Sequence, residues 1–249
     1  MRRKLSDNLK RVRDRLGAAC AKVSRDPSTV KLVAVTKTVE IDVIRQMLEH
    51  GVTELGESRV QQLVKRAGMI EEYRSRRRLV GGSAGSDAPH WHMIGHLQRN
   101  KIKAVLPWVG TVHSVDNLRL AEDLSTQSQK MERTTDVFIE VNVSEERTKH
   151  GVVVGATQHL VEHMVQMSNL RVLGLMTMAP LAEDPEAARP YFARLRELLE
   201  DIQREKFATP DFVHLSMGMS NDFGVAVEEG ATVVRIGTAL FEGIAANVP

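Results

Sequence analysis

The sequence predicts an α/β fold: a single (β/α)8 barrel of the TIM type with one extra helix at the N-terminus. Three observations lead there. Eight short apolar runs of strand length recur along the chain, most of them followed by a stretch of helical periodicity. No long linker divides the chain into halves. The first strand is not followed by G-x-G-x-x-G, which counts against the rival architecture, a doubly wound open sheet.

The elements follow in order. Leu5, Leu9, Val12, Leu16 and Ala19 recur on one face of an N-terminal surface helix, and Asp26-Pro27-Ser28 ends that pattern. Val30–Lys37 (VKLVAVTK) is a buried parallel strand, too short and too rich in valine for an ordinary helix. Ile41, Ile44, Met47 and Leu48 form the next helical face, closed by Gly51. A second strand spans Val52–Leu55 and meets Gly56, and a helix starts near Arg59. Tyr73–Pro89, with Arg74, Arg76, Arg77 and Arg78 followed by GGSAGSDAP, has the composition of a flexible loop.

His90–Gly95 is the third strand, Leu97–Leu106 a short helix stopped by Pro107, and Val109–Val115 the fourth strand. Asn117–Met131 is helical, Val137–Val143 a fifth, buried strand, Thr157–Met167 helical and Leu170–Met176 the sixth strand. Pro185–Lys206 is a long charged helix. Phe212–Ser216, a helix over Asn221–Glu229 and Thr232–Ile236 complete the count.

A chain of 249 residues, 42% of them hydrophobic, can bury roughly three quarters of its unfolded surface without staples. Lys+Arg 34 against Asp+Glu 32 gives a net charge of only +2, with no push toward nucleic acid or an anionic membrane. The single cysteine, Cys20, rules out an intramolecular disulfide and fits a reducing compartment. No apolar run has the roughly 18 residues of a membrane span. The Arg-rich N-terminus contains Asp7 and Asp14 and has no apolar core, so it is expected to be neither a transit nor a secretory peptide. The cytoplasm is the expected location.

Candidate chemistry collects where barrel strands end, since that face of a (β/α)8 barrel carries its active site. Lys37 closes the first strand there. A lysine amine stripped of water by apolar surroundings loses its proton and attacks a carbonyl. Two further clusters follow the last two strands: His214-Leu-Ser-Met-Gly-Met-Ser220 and Val234-Arg-Ile-Gly-Thr238. Gly218 and Gly237 let backbone N–H groups approach an anion, and Ser216, Ser220 and Thr238 add hydroxyls, the parts of a phosphate site. Arg235 sits within a strand and must be paired or turned into the barrel mouth, because its charge is costly to bury alone. His90 and His92 alternate on a strand and His96 lies four residues beyond His92, but that four-residue spacing straddles a strand end and Gly95 with no clear third ligand, so packing is the preferred reading over metal. The methionines, Met176, Met178, Met217 and Met219 among them, read as barrel lining.

Together the motifs VAVTK, GESRVQQ, WHMIGHLQRNK, VNVSEERTKHGV, LMTMAP, SMGMSNDF and VVRIGTALF resemble the pyridoxal phosphate homeostasis proteins, a family similar to the barrel domain of alanine racemase. The motifs run from about Val33 to Gly243, nearly the whole chain. The resemblance implies pyridoxal 5′-phosphate as cofactor, held as an internal aldimine by Lys37. It implies that Ser216 and the backbone around Gly237 and Thr238 take the phosphate, and that Arg235 faces the pyridine nitrogen. An arginine there keeps that nitrogen unprotonated and weakens the ring as an electron sink.

The chain departs from the family pattern at several points. Ser58 stands where asparagine usually follows the glutamate of the second-strand motif. Lys149-His150-Gly151 replaces the frequent K-S-G, Phe241-Glu242 replaces F-G, and the Tyr73–Pro89 stretch resembles an insertion.

Racemases similar to this barrel use a second base, a tyrosine from another domain. Eight βα units leave no length here for such a domain, and Tyr73 and Tyr191 are poor substitutes. The expected function is therefore intracellular homeostasis of pyridoxal phosphate without robust catalysis, by one domain spanning residues 1–249. Apo-enzymes that receive the cofactor are the expected partners, and the chain is expected to be a monomer. An amino-acid racemase, or a barrel enzyme acting on another phosphorylated metabolite, are the alternatives.

Overall fold

A computed structural model describes residues 2–79, 88–146 and 148–244. Its strands are β1 (Lys31–Val35), β2 (Glu54–Glu57), β3 (His90–Met93), β4 (Val109–Val115), β5 (Thr135–Asn142), the two-residue β6 (Val152–Val153), β7 (Leu170–Met176), β8 (His214–Ser216) and β9 (Val233–Ile236). All pairings are parallel, in the order β4-β3-β2-β1-β9-β8-β7-β5, and β4 pairs with β5 to close the ring. The eight-stranded closed barrel matches the sequence expectation, and closure leaves no sheet edge except at β6, which adds to Val141 and Asn142 of β5.

The helices are α1 (Arg2–Lys22), α2 (Ile41–Glu49), α3 (Val60–Leu79), α4 (Ile102–Val105), α5 (Leu118–Lys130), α6 (Val154–Met164), α7 (Arg189–Gln203), α8 (Phe223–Glu228) and α9 (Thr238–Phe241). The apolar stripe of α1 is buried as its spacing predicts, and the helix packs on α8 and α9. Asn8 reinforces that docking by donating to the carbonyls of Leu240 and Glu242 at 3.0 and 3.1 Å.

One expectation is corrected. The stretch from Tyr73, read as the start of a loop, continues α3 to Leu79. Tyr73 is held there by the guanidinium of Arg45, 4.5 Å from its ring centre, while Arg77 donates to its hydroxyl at 2.9 Å. Arg74 is buried rather than solvated. The charge run looked loop-like because long arginines on a helix can cover apolar surface with their stems. The remainder of that expected loop, residues 80–87, lies outside the described residues.

Alternation along each strand sorts the barrel into two environments. Leu32 and Ala34, Leu55, Val137, Ile139 and Val141, Leu215, and Val234 and Ile236 join the large apolar layer shared with the helices. The opposite face of the same strands points into the barrel, where Val33, Phe138, Met176 and Val233 form a separate small cluster. Much of the remaining interior is polar. At its N-terminal end, Lys31 pairs with Glu54 at 3.1 Å and Arg171 with Asp136 at 2.8 Å, while His90 bonds Thr111 at 2.8 Å. Gly174 lets β7 and β8 come this close: a Cβ there would lie 1.8 Å from the carbonyl oxygen of His214.

Candidate cofactor site at the barrel mouth

A cavity of about 770 Å³ opens at the C-terminal ends of the strands. Lys37, Arg235, Gly237 and Thr238, separated by about 200 residues of chain, all line it. Ser58, Ser220 and Asn221 also contribute to its wall. Four of the five site residues expected from the sequence are thus brought together.

The fifth, Ser216, is not. It is fully buried inside the barrel and is not part of the cavity wall. Its side chain points inward from β8, where it accepts from Arg235 at 2.6 Å and bonds His113 at 2.9 Å. Ser220, four residues on, takes the place at the cavity, with its Oγ accepting from the Ala239 N–H at 3.1 Å. The sequence offered both serines. The turn between them decides, and it depends on Gly218, which has φ 92° and no room for a Cβ, since one would lie 2.6 Å from that of Ala226.

Lys37 follows β1 in a turn, with its side chain exposed in the mouth rather than stripped of water. The expected apolar enclosure of this side chain is not found: Val35 and Val39 on either side are buried, and Lys37 between them faces solvent. The turn itself is firmly held. Arg66, reaching over from α3, donates to the carbonyls of Thr36 at 2.6 Å and Val39 at 2.8 Å, one on each side of Lys37-Thr38. The same guanidinium pairs with Glu57 at the end of β2, which also accepts from the Thr36 hydroxyl. Glu57 is wholly buried, and burial pushes its carboxyl up against the pull of Thr36 and Arg66. Sequence reasoning missed this pair. Glu57 was visible within GESR, but nothing marks Arg66 as its partner from a helix nine residues away.

Arg235 is buried with its guanidinium tied down. One terminal nitrogen donates to the Ser216 carbonyl at 2.8 Å and to its hydroxyl, and the other to the Thr177 carbonyl at 2.9 Å. Burial pulls it down to about 10, while Glu140 and Asp222 hold it up, so it stays a cation near neutrality. These bonds use three of the five donors of a guanidinium and leave Nε–H among the rest.

Beneath Arg235 a hydrogen-bonded chain runs along the barrel: Ser216 to His113 at 2.9 Å, His113 to His92 at 2.8 Å, and His92 to Glu54 at 2.5 Å. Its ends fix its polarity. Arginine can only donate, so the Ser216 hydroxyl is free to donate onward to His113 Nδ1. At the other end Glu54 is a carboxylate, held down to about 2: burial opposes that shift but is outweighed by His92 and Lys31, so it must accept. With both imidazoles neutral, each must then carry its proton on Nε2, His92 donating to Glu54 and His113 to His92. Burial agrees, pulling His92 down to about 4 and His113 well below the ordinary histidine value. The His90-His92-His96 trio is divided between two places: the first two face the interior, and His96 stands exposed at the rim.

The architecture and the lysine at its mouth define a lysine-bearing (β/α)8 barrel. Residues 3–244 match the alanine racemase N-terminal domain family. The chain is 42% identical over 236 residues to the pyridoxal phosphate homeostasis protein of Aquifex aeolicus, covering 94% of this chain and 96% of that protein. A crystal structure of a Bifidobacterium adolescentis protein superposes with TM-score 0.86 at 35% identity, over 96% of this chain and 95% of that one. PipY of Synechococcus elongatus, solved with pyridoxal phosphate bound, superposes with TM-score 0.75 at 27% identity, over 91% and 99%. The chain belongs to the pyridoxal phosphate homeostasis protein family.

Two predictions follow from these contacts. Replacing Arg66 by alanine strands the buried Glu57 carboxylate and frees both carbonyls around Lys37. Urea unfolding should show a loss of about 3 kcal/mol, and an unchanged midpoint would mean the pair holds nothing.

The second concerns Glu140, which points into the barrel from β5 and is 4% exposed. Burial and then the nearby Asp116 push it up to about 7, against the pull of Arg235. A carboxyl raised in the folded state binds its proton more tightly there than in the unfolded chain. Its favourable contribution is complete below its unfolded value of about 4.5 and is lost as pH rises through about 7. Glu140→Gln should therefore raise the melting temperature, relative to the parent, more above pH 7 than below pH 4.5 in thermal scans. An equal shift at both ends would contradict the buried-carboxyl account.

Proposed function

We propose that this protein binds pyridoxal 5′-phosphate covalently through Lys37 Nζ and serves the homeostasis of that cofactor inside the cell, acting as a monomeric carrier without robust catalysis. The observation that carries the reading is the convergence of Lys37, Arg235, Gly237 and Thr238 on one cavity. Relatives named for pyridoxal phosphate homeostasis, and a related protein solved with the cofactor, support it.

The donors present suit the group. Among the described residues the N–H groups of Gly237 and Thr238 find no acceptor in the protein, which leaves them for phosphate oxygens beside the Ser220 hydroxyl. Gly237 is needed close in, since a Cβ there would lie 3.3 Å from the Val35 carbonyl oxygen. The remaining Arg235 donors suit a ring nitrogen. When bound, pyridoxal phosphate supplies an aldehyde to an amine and an electron-withdrawing ring. Arg235 cannot yield its proton to that ring, so this chain favours retention over carbanion chemistry.

The tyrosines agree with a carrier. Tyr73 is engaged on α3 with Arg77 and Arg45, Tyr191 lies on α7, and neither lines the cavity. Apo-enzymes are the proposed recipients, with the 249-residue chain acting as one cofactor-binding domain in the cytoplasm. Among the described residues no helix is long and apolar enough to cross a membrane.

The test is to load the protein and its Lys37→Ala variant with pyridoxal phosphate, remove the excess by gel filtration, and record visible absorption. The parent should keep a bound chromophore that the variant loses while its circular dichroism is unchanged. Retention of the same band by the folded variant would refute the assignment of Lys37.

A further inference from the structure

The barrel mouth carries a second constellation, beside the cavity but outside its wall. His96 follows β3, Asp116 follows β4, and His150 lies in the turn between β5 and β6. One ligand atom from each lies within 4.8 Å of the other two, and His96 Nδ1 stands 3.7 Å from Asp116 Oδ2. The imidazoles of His96 and His150 are stacked, with ring centres 4.4 Å apart and planes 16° from parallel. Asp116 is oriented from behind: its Oδ1 accepts from Asn117 Nδ2 at 2.6 Å, which leaves Oδ2 directed toward His96. His96 and Asp116 stand just beyond neighbouring strand ends of the closed barrel, β3 and β4, and His150 reaches them from the turn before β6.

We propose that His96, Asp116 and His150 bind a divalent transition-metal ion, with Zn2+ the best match in charge and donor preference. Two imidazoles and one carboxylate form a borderline N/O donor set suited to zinc, and three protein ligands leave a position open for water or an anion. Ligand–metal bonds of about 2.0–2.1 Å put donors roughly 3.3 Å apart in a tetrahedral site. The His96–Asp116 pair, at 3.7 Å, is already near that spacing, and the two imidazoles are exposed, so their side chains can turn to close the rest. Asn117 acts as the outer-shell partner that metal-binding carboxylates usually have. His150 is the residue at which this chain departs from the K-S-G pattern, so the third ligand belongs to this sequence rather than to the family pattern.

Two other histidine groups are weaker candidates. Glu54, His90 and His92 also cluster, but His92 has both ring nitrogens engaged, by Glu54 and His113. His159 and His163 on α6 face each other with ring nitrogens 3.1 Å apart and bring only two imidazoles. That pair could take a metal weakly on the surface, so it is removed in the test.

The experiment is isothermal titration of ZnCl2 into the full chain, produced without a histidine tag and carrying His163→Ala. One Zn2+ should bind per chain, and His150→Ser and Asp116→Asn, each added to that background, should weaken it at least about tenfold. Thermal scans without metal should show all three proteins equally folded, since the trio sits at the surface. Absence of stoichiometric binding, or affinity unchanged in both variants, would overturn the proposal.

Discussion

The buried charge of Arg235 is the constraint around which this barrel interior is arranged. A guanidinium enclosed by protein must be paid for in hydrogen bonds, and here the carbonyls of Thr177 and Ser216 and the Ser216 hydroxyl supply them. Accepting from arginine turns the serine into a donor, which sets the tautomer of His113, then of His92, and ends on the Glu54 carboxylate. One immobile cation near the mouth thereby orders a polar chain that reaches toward the far end of the barrel. Phe138 covers it from the side, its ring stacked on His113 at 4.6 Å. The same arginine lines the cavity and keeps two donors out of these bonds, so its support and its proposed use belong to one arrangement.

Lys37 is held by a separate device outside the barrel. Glu57 faces outward from β2 and meets Arg66 of α3, and together they fix the turn after β1. The division is physically sensible. The lysine side chain stays exposed and free to move, while its backbone is fixed by a buried ion pair. The proposed attachment of a cofactor at Lys37 would need that freedom in its last atoms.

The barrel was legible because its strands are short apolar runs set between stretches of helical periodicity. Val137, Ile139 and Val141 on β5 and Val234 and Ile236 on β9 mark their strands whatever lies between them. What lies between them was not legible. Glu54, His92, His113 and Glu140 carry no apolar signal, yet they face the interior, where the first three are joined by hydrogen bonds between residues distant in sequence and burial pushes Glu140 up. The same blindness hid the place of Ser216, inside the barrel and off the cavity wall. The motif places it two residues before Gly218 and leaves open which side of that turn faces the cavity. Tyr73–Leu79 was misread for a related reason, since a basic run says nothing about the aromatic and apolar surface it covers. β6 and α9 were missed because two and four residues carry no periodicity.

The central claim is that Lys37 is the covalent attachment point at the mouth of this barrel. The most direct measurement is borohydride reduction of the protein loaded with pyridoxal phosphate, followed by proteolysis and mass spectrometry to locate the phosphopyridoxyl group. Reduction fixes the carbon–nitrogen bond, so the label records which amine was attached. The account predicts the label on Lys37 alone. Label spread over surface lysines, or none after reduction, would mean that the cavity has the shape of the family site without its chemistry.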